Sequence, residues 1–183
     1  MLTDTETTTG HALNEEGKAA LAKGEQRFAR ETFLRGAHLG HPGAQYNLGT
    51  MCFSGEGGCR DYLEAARWFR KAADQGHVKA QSNLAGMYAL GLGVTEDPGK
   101  ALELMLHAAN AGDSGAQFNL GNLYAAGDGV AEDLVEAYKW LALAAASGLA
   151  EAQVLLLQIG VLLSPEGRTE AHRRVREFRK RSQ

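Results

Sequence analysis

Small and apolar residues recur along this chain at the spacing of an α-helix. Within residues 43–53, Ala44, Leu48 and Cys52 are four residues apart, so they fall on one helical face. A glycine-rich loop follows. The next segment, residues 62–75, again places its small and aromatic residues on one face, namely Ala65, Phe69, Ala72 and Ala73. The pattern predicts a hairpin of two helices, which we call helix A and helix B.

The hairpin pattern recurs with a period of 36 residues. Three residue types each occupy one position of the period four times: Ala44, Ala80, Ala116 and Ala152; Gln45, Gln81, Gln117 and Gln153; Leu48, Leu84, Leu120 and Leu156. A fixed period of this length is typical of a tandem array, in which each hairpin packs on its neighbours. We therefore predict repeats over residues 41–76, 77–112 and 113–148.

The residues outside these repeats extend the array at both ends. Residues 11–40 are predicted to form a shorter N-terminal hairpin that turns at Gly24, and residues 1–10 a flexible tail. Residues 149–183 supply a further helix A and then a charged capping helix, which suits the end of an array where one side faces water. Residues 11–183 are thus expected to form one all-α domain.

Capping residues predict where individual helices begin and end. Asp61, Asp97 and Asp133 share one position of the period, directly before helix B. A carboxylate there accepts hydrogen bonds from the free N–H groups of the first helical turn. Gly76 predicts the end of a helix B. Ser164, followed by proline, predicts the start of the last helix.

Composition and charge narrow the class of protein. The 183 residues are 44% hydrophobic and 22% charged, which is typical of a globular chain. A net charge of −3 argues against a dedicated nucleic-acid binder. The longest apolar run, residues 154–163, is shorter than the roughly 20 residues of a membrane span. Without a recognisable secretory signal we expect a cytoplasmic protein with reduced thiols, although a bridge between Cys52 and Cys59 stays open.

Several recurring residues together form a known motif. In the third repeat they read Ala116-Gln117-Phe118-Asn119-Leu120-Gly121, then Gly127-Asp128-Gly129, with Asp133 before helix B. This pattern resembles the Sel-1-like repeat, a 36-residue relative of the tetratricopeptide repeat. The second repeat departs from it at Ala85, where the family usually has Gly, and at Leu104, where it usually has an aromatic residue.

The resemblance implies both a fold and a class of function. It implies a right-handed α-α solenoid with terminal capping helices, and a bacterial adaptor or scaffold. In the tetratricopeptide relatives, helix A of each unit lines a concave groove that holds a protein or peptide. Carried over by position, the candidate groove residues are Tyr46, Asn47, Thr50, Ser82, Asn83, Phe118, Asn119 and Asn122.

Two interpretations of the repeated asparagine, Asn47, Asn83 and Asn119, stay open. Its side chain offers one acceptor and two donors, which suits a peptide backbone. The same groups also suit backbone atoms between neighbouring helices of the array. Trp68 and Trp140 lie on helix B, where large rings are expected to pack between repeats.

The C-terminal helix offers a second candidate surface. Residues 165–183 carry seven basic and three acidic residues, a net charge of +4, against −7 for the remaining 12 basic and 19 acidic residues. Such asymmetry is typical either of contact with an anionic partner or of a solvated cap that complements an acidic body. The candidate contact residues are Arg173, Arg174, Arg176, Arg179, Lys180 and Arg181.

No arrangement of residues points to catalysis or to a bound cofactor. His38 and His41 lack the companion ligands of a zinc site, and the loop glycines lack the Lys and Ser or Thr of a phosphate-binding loop. We therefore expect a non-enzymatic module with no metal, no cofactor and a protein or peptide partner. The sequence leaves the oligomeric state open, with a monomer favoured. Two alternatives remain. One is an envelope-associated or secreted member acting in host interaction, secretion or toxin neutralisation. The other, suggested by some relatives, binds cell-wall or β-lactam ligands with weak hydrolase activity.

Overall fold

The computed structural model describes residues 4–181, and their side chains from residue 7 onward. Within this part of the chain the fold is all-α, as predicted, with ten helices and no strand. Their bounds are α1 Asp4–Ala22, α2 Gln26–His38, α3 Pro42–Ser54, α4 Tyr62–Ala73, α5 Val78–Leu90, α6 Pro98–Asn110, α7 Ser114–Ala126, α8 Leu134–Ala146, α9 Ala150–Leu162 and α10 Pro165–Arg181. In the three repeats, α3, α5 and α7 are A helices, and α4, α6 and α8 are B helices.

The predicted helix ends are confirmed by their hydrogen bonds. Asp61, Asp97 and Asp133 each accept from a backbone N–H three residues ahead, at 2.9–3.0 Å. These bonds satisfy donors that the first helical turn leaves free. The Ser164 hydroxyl does the same for α10 at 3.1 Å. Gly76 has φ +80°, the left-handed conformation expected after a helix B.

The A helices are capped at a different position of the period. His41, His77 and Asp113 precede α3, α5 and α7, and each side chain accepts from the backbone N–H three residues ahead, at 3.1, 3.3 and 2.8 Å. For the two histidines the acceptor is Nδ1, which must therefore be unprotonated. The free N–H group at the start of an A helix is thus bonded by an imidazole in two repeats and by a carboxylate in the third.

The repeated glutamine joins each A helix to the preceding B helix. Gln45, Gln81 and Gln117 donate through Nε2 to the carbonyl oxygen eight residues earlier, at 3.2, 3.4 and 3.0 Å. That carbonyl lies in the last turn of a helix and also accepts the backbone N–H three residues ahead of it, so the glutamine supplies a second hydrogen bond to the helix end. In α9 the equivalent Gln153 is exposed.

In the first and third repeats a glycine lets helix B lie close to its own helix A. A Cβ on Gly49 would lie 2.8 Å from the Phe69 ring, and a Cβ on Gly121 would lie 2.5 Å from Leu141. Real Cβ atoms do not approach other atoms so closely. The glycine of the repeat therefore marks the face of helix A that its helix B covers.

The described residues fall into two compact units, which divide between Leu104 and Met105. The single domain expected over residues 11–183 stays a prediction. In a repeat array each hairpin packs mainly on its neighbours, so each unit has a hydrophobic core of its own. The core of the first unit includes Ala29, Phe33, Ala44, Leu48, Ala65, Phe69 and Ala72. The core of the second includes Ala137, Leu141, Ala144, Ala152, Ile159, Leu163 and Ala171.

The N-terminus differs from the flexible tail predicted for residues 1–10. Helix α1 already begins at Asp4, and residues 1–3 lie outside the described residues. Gly10 is buried, and a Cβ there would lie 3.0 Å from the Cβ of His41. The absence of a side chain at Gly10 thus lets α1 pack closely on the residue that caps α3.

The two cysteines are free thiols, and the two tryptophans are packing residues of the B helices. Cys52 is buried and Cys59 exposed, and both are free, which decides the question of a bridge between them. Trp68 and Trp140 are buried on their B helices, as expected, at 7% and 3% exposure.

Candidate partner-binding surface

Helix α5 presents an open face with mixed chemistry. Lys79, Asn83, Gly86 and Leu90 are spaced four, three and four residues apart, so they lie on one side of the helix. Asn83 is exposed beside the buried Leu84. Nothing lies within 4 Å of a Cβ built on Gly86, so the helix backbone is open there.

Leu90 is the apolar residue of this face, and it was not among the candidates predicted from the sequence. Its side chain is 70% exposed, although Leu at a helical spacing reads as a core residue. A signal was present in the sequence, because Leu90 lies seven residues after Asn83 and therefore shares its side of the helix. It adds an apolar anchor to an otherwise polar surface.

The three repeated asparagines are not equivalent. Asn83 and Asn119 are exposed on α5 and α7. Asn47 instead donates through Nδ2 to Oδ1 of Asn14 at 2.9 Å, and Asn14 is only 4% exposed. At α3 the side chain therefore links two helices, which was one of the two interpretations left open, whereas Asn83 and Asn119 leave their amides to solvent.

The two predicted aromatic residues take part in packing. The Tyr46 ring stacks on His77, with 4.6 Å between ring centroids, and contacts Phe69 at 5.9 Å. Phe118 is half-buried against the core of the second unit. Both rings therefore take part in intramolecular packing, and their role as anchors in the groove stays a prediction.

The remaining predicted groove residues are half-buried, and two of them bond to their own helix. The Thr50 hydroxyl donates to the Tyr46 carbonyl oxygen at 3.0 Å, and Asn122 Nδ2 donates to the Phe118 carbonyl oxygen at 3.2 Å. Ser82 is half-buried on α5. A partner would reach these groups only by competing with bonds already made or with neighbouring side chains.

Two clefts on helix α4 were not predicted. One of about 490 Å³ is lined by residues of α4 with His38 and Asp61, and one of about 660 Å³ also includes Tyr88 and Lys100. Arg70 Nη2 donates to the Tyr88 hydroxyl at 2.9 Å. The sequence signal was the spacing of Arg67, Arg70 and Lys71, which places three cations on one side of a helix. Acidic residues interrupt both clefts, so neither has one sign of charge.

Six basic residues of α10 were predicted as one contact surface, but the structure divides them. Arg173 is paired with Glu170 and Glu177, and Arg174 with Glu136 at 2.7 Å. The hydrogen bonds from Arg173 and Arg174 lower the pKa of Glu170 to about 2. Among the described residues, no ion pair involves the remaining four, Arg176, Arg179, Lys180 and Arg181.

Burial shifts the pKa of a second set of titratable groups, which includes His41, His77 and Cys52. Burial lowers the pKa of His41 and of His77, which keeps their Nδ1 atoms available as caps. Burial also raises the pKa of the Cys52 thiol to about 11. Within the described residues, no three His, Cys, Asp or Glu side chains are placed to hold a metal ion.

Comparison with known proteins identifies the family. The Sel1 repeat model matches residues 42–77, 78–113 and 114–149, which is more than half of the chain. This chain belongs to the Sel1 repeat family. The matches lie one residue after the predicted repeats, so the period read from the sequence is that of the family. No curated protein matches the chain.

Solved structures of other Sel1 repeat proteins share the fold. A Sel1 repeat protein from Oxalobacter formigenes is 27% identical with a TM-score of 0.78, covering 96% of this chain and 74% of its own. A protective antigen of uropathogenic Escherichia coli, with an SLR fold, is 28% identical with a TM-score of 0.76. That match covers 92% of this chain but only 38% of the antigen.

The family sets the general class of function. Sel1 repeat proteins are generally scaffolds for protein interaction, and the fold is typically non-enzymatic. None of the helices in the described part of this Sel1 repeat protein has the length and hydropathy to cross a membrane.

Proposed function

We propose that this Sel1 repeat protein is a non-enzymatic adaptor that holds a segment of a partner protein on the open faces of its A helices. The observation that carries the proposal is the face of α5, where an exposed amide, a bare stretch of backbone and a 70% exposed leucine share one side. Asn119 on α7 repeats the exposed amide of Asn83 at the same position of the period.

This combination suits an extended or irregular peptide. The Asn83 amide offers both a donor and an acceptor to a peptide group. Gly86 has no side chain, so a peptide backbone can approach the helix closely. Leu90 supplies apolar area, which strengthens association when it is removed from water. A preformed face on a helix also avoids much of the ordering cost of binding.

The alternatives receive less support from the geometry. Weak hydrolase activity toward a cell-wall or β-lactam ligand needs an activated nucleophile, whereas the buried Cys52 thiol, with its pKa near 11, stays protonated. A secreted or envelope-associated role fits less well with two free thiols, which favour a reducing compartment. We therefore place the adaptor in the cytoplasm.

The proposal is tested by capture of partners with the immobilised full-length chain. Proteins retained from a native lysate are identified by mass spectrometry, and their affinities are then measured with purified components. Asn83→Lys/Asn119→Lys and Leu90→Glu are each expected to weaken the interaction at least tenfold, as loss of a central contact does. All variants are first checked for unchanged helicity by circular dichroism.

The matched control is Gln26→Lys/Asn110→Lys. It makes the same change from amide to ammonium at exposed positions on α2 and α6, so it reproduces the added charge without touching the A helices. The control should bind as the wild type does. A partner whose affinity falls equally in the control and in the Asn83/Asn119 variant would contradict the proposed site.

A further inference from the structure

Helix α9 exposes an apolar stripe along its whole length. Val154, Leu157 and Val161 are 60%, 74% and 78% exposed. With the exposed Ala150 they are spaced four, three and four residues apart. This is the spacing by which one helix packs along another in a coiled coil.

The position of the stripe within the repeat shows what normally covers it. Thirty-six residues earlier the same positions are Phe118, Gly121 and Ala125 of α7. A Cβ on Gly121 would lie 2.5 Å from Leu141 of α8, so this side of α7 is covered by its own helix B. Helix α9 thus presents to solvent the side that in a complete repeat contacts a second helix.

Helix α10 follows α9 in the chain but does not cover the stripe. It lies along α8, where Phe178 contacts Trp140 at 5.4 Å between ring centroids and Arg174 pairs with Glu136 at 2.7 Å. The sequence provides a reason. Leu157 stands where α3 and α7 have glycine, and its side chain prevents the close approach that Gly49 and Gly121 allow.

We propose that a second copy of this chain covers the stripe, with the two α9 helices packed antiparallel across a two-fold axis near Leu157. Such an interface is isologous, so each stripe buries the other. Antiparallel pairing sets Val154 of one copy opposite Val161 of the other. This dimer replaces the monomer expected from the sequence.

Charge at the two ends of α9 favours the antiparallel arrangement. Glu151 is exposed in the first turn of α9. At the other end, Arg168 donates through Nε to the Leu163 carbonyl oxygen at 3.2 Å, which holds its guanidinium beside the helix C-terminus. In an antiparallel pair each Glu151 lies near Arg168 of the other copy. A parallel pair would instead bring the two Glu151 carboxylates together.

The size of the stripe sets the expected strength of the dimer. It offers one helix face, whereas a standard specific interface buries roughly 800 Å² on each partner. We therefore expect a reversible dimer with a dissociation constant in the micromolar range. Adaptor binding uses the side of α5 that holds Asn83, so the two surfaces are separable by mutation.

The test is sedimentation equilibrium of the full-length chain from about 5 to about 500 μM, a range that covers weak specific association. The wild type is expected to dimerise as concentration rises. Leu157→Glu should weaken the dimer at least tenfold because it buries a carboxylate in the centre of the seam. The matched control is Leu90→Glu, which makes the same change at a residue of similar exposure on α5, 70% against 74%, and should dimerise normally.

Charge reversal then tests the orientation of the helices. Glu151→Arg and Arg168→Glu should each weaken the dimer, and the double variant should restore it. A wild type that stays monomeric throughout the range, or a dimer that Leu157→Glu leaves unchanged, overturns the proposal. A dimer lost in Leu157→Glu but unaffected by both reversals overturns the antiparallel pairing. Because Leu90→Glu tests the adaptor face alone, failure of one proposal is distinguishable from failure of the other.

Discussion

At one position of the 36-residue period, the type of side chain determines how the hydrogen bond that caps helix A responds to pH. His41, His77 and Asp113 all accept a backbone hydrogen bond at the start of an A helix. The aspartate can do so at any pH above its own pKa, whereas a histidine can do so only while Nδ1 is unprotonated. Burial supports the neutral histidine, and it lowers the pKa of both rings below the ordinary value of 6.5. The two histidine caps therefore respond to acid in a range where the aspartate cap does not.

This difference predicts a pH-dependent stability. As the pH is lowered through 6.5, these histidines take up protons in the unfolded chain before they do so in the folded chain. The free energy of unfolding therefore decreases as the pH is lowered, until the pH passes the lowered pKa of the folded state. His77→Asp should reduce that fall between about pH 7.5 and pH 5, measured by thermal unfolding, because Asp stays ionised there. His107→Asp changes an exposed histidine and is the control. Equal pH dependence in the wild type and His77→Asp would contradict the capping role.

At the scale of the elements, the repeat period predicted the helices and loops of the three repeats. It did not predict the contacts made by the helices that flank the repeats. The caps at Asp61, Asp97 and Asp133 were predicted because local hydrogen bonding depends on a few neighbouring residues. The pairing of Asn47 with Asn14 was not, because Asn14 lies in an N-terminal hairpin outside the 36-residue register. The docking of α10 on α8 was also not predicted, because it joins two helices that are not consecutive in the chain.

The open face was predicted in part for the same reason. Asn83 and Asn119 are exposed as their register suggested, while the Tyr46 ring contacts Phe69 and Phe118 packs against the core of the second unit. Positions one residue apart on a helix differ by about 100° in direction, so a register alone does not separate an open face from the neighbouring packed one. The packing of the neighbouring helices determines which side of a helix stays exposed.

The glutamine link between elements gives a prediction with an internal control. Gln117→Ala removes the buried hydrogen bond to the Ala109 carbonyl oxygen and leaves that acceptor without its side-chain partner. We expect a loss of about 1–3 kcal/mol in the free energy of unfolding, measured by urea denaturation. Gln153→Ala changes the same position of the period where the side chain is exposed, and should cost at most about 0.5 kcal/mol. Equal losses in the two variants would show that the bond to Ala109 contributes nothing.

At the scale of the whole molecule, two compact units divide the chain between Leu104 and Met105. Each unit contains one tryptophan, Trp68 in the first and Trp140 in the second, and both rings are buried. In a repeat array stability is approximately a sum of repeat and nearest-neighbour contributions. Fluorescence of Trp→Phe variants that retain one tryptophan therefore reports the unfolding of each unit separately.

Leu120→Ala makes that division measurable. Leu120 is fully buried in α7, and its truncation should cost about 2–5 kcal/mol. In urea, the midpoint reported by Trp140 is expected to fall more than the midpoint reported by Trp68, because Leu120 lies in the second unit. Identical shifts at both tryptophans would instead indicate one cooperative transition for the whole chain. An unchanged melt would contradict the repeat packing itself.

The two free cysteines allow local unfolding of this protein to be measured by thiol labelling. Cys59 is exposed, so a thiol reagent reacts with it without any prior opening of the fold, and its labelling rate is the reference. Cys52, seven residues earlier on α3, is buried with a pKa near 11, and it becomes reactive only when its helix separates from the core. The ratio of the two labelling rates in one sample therefore measures how often α3 opens under native conditions, without any introduced probe.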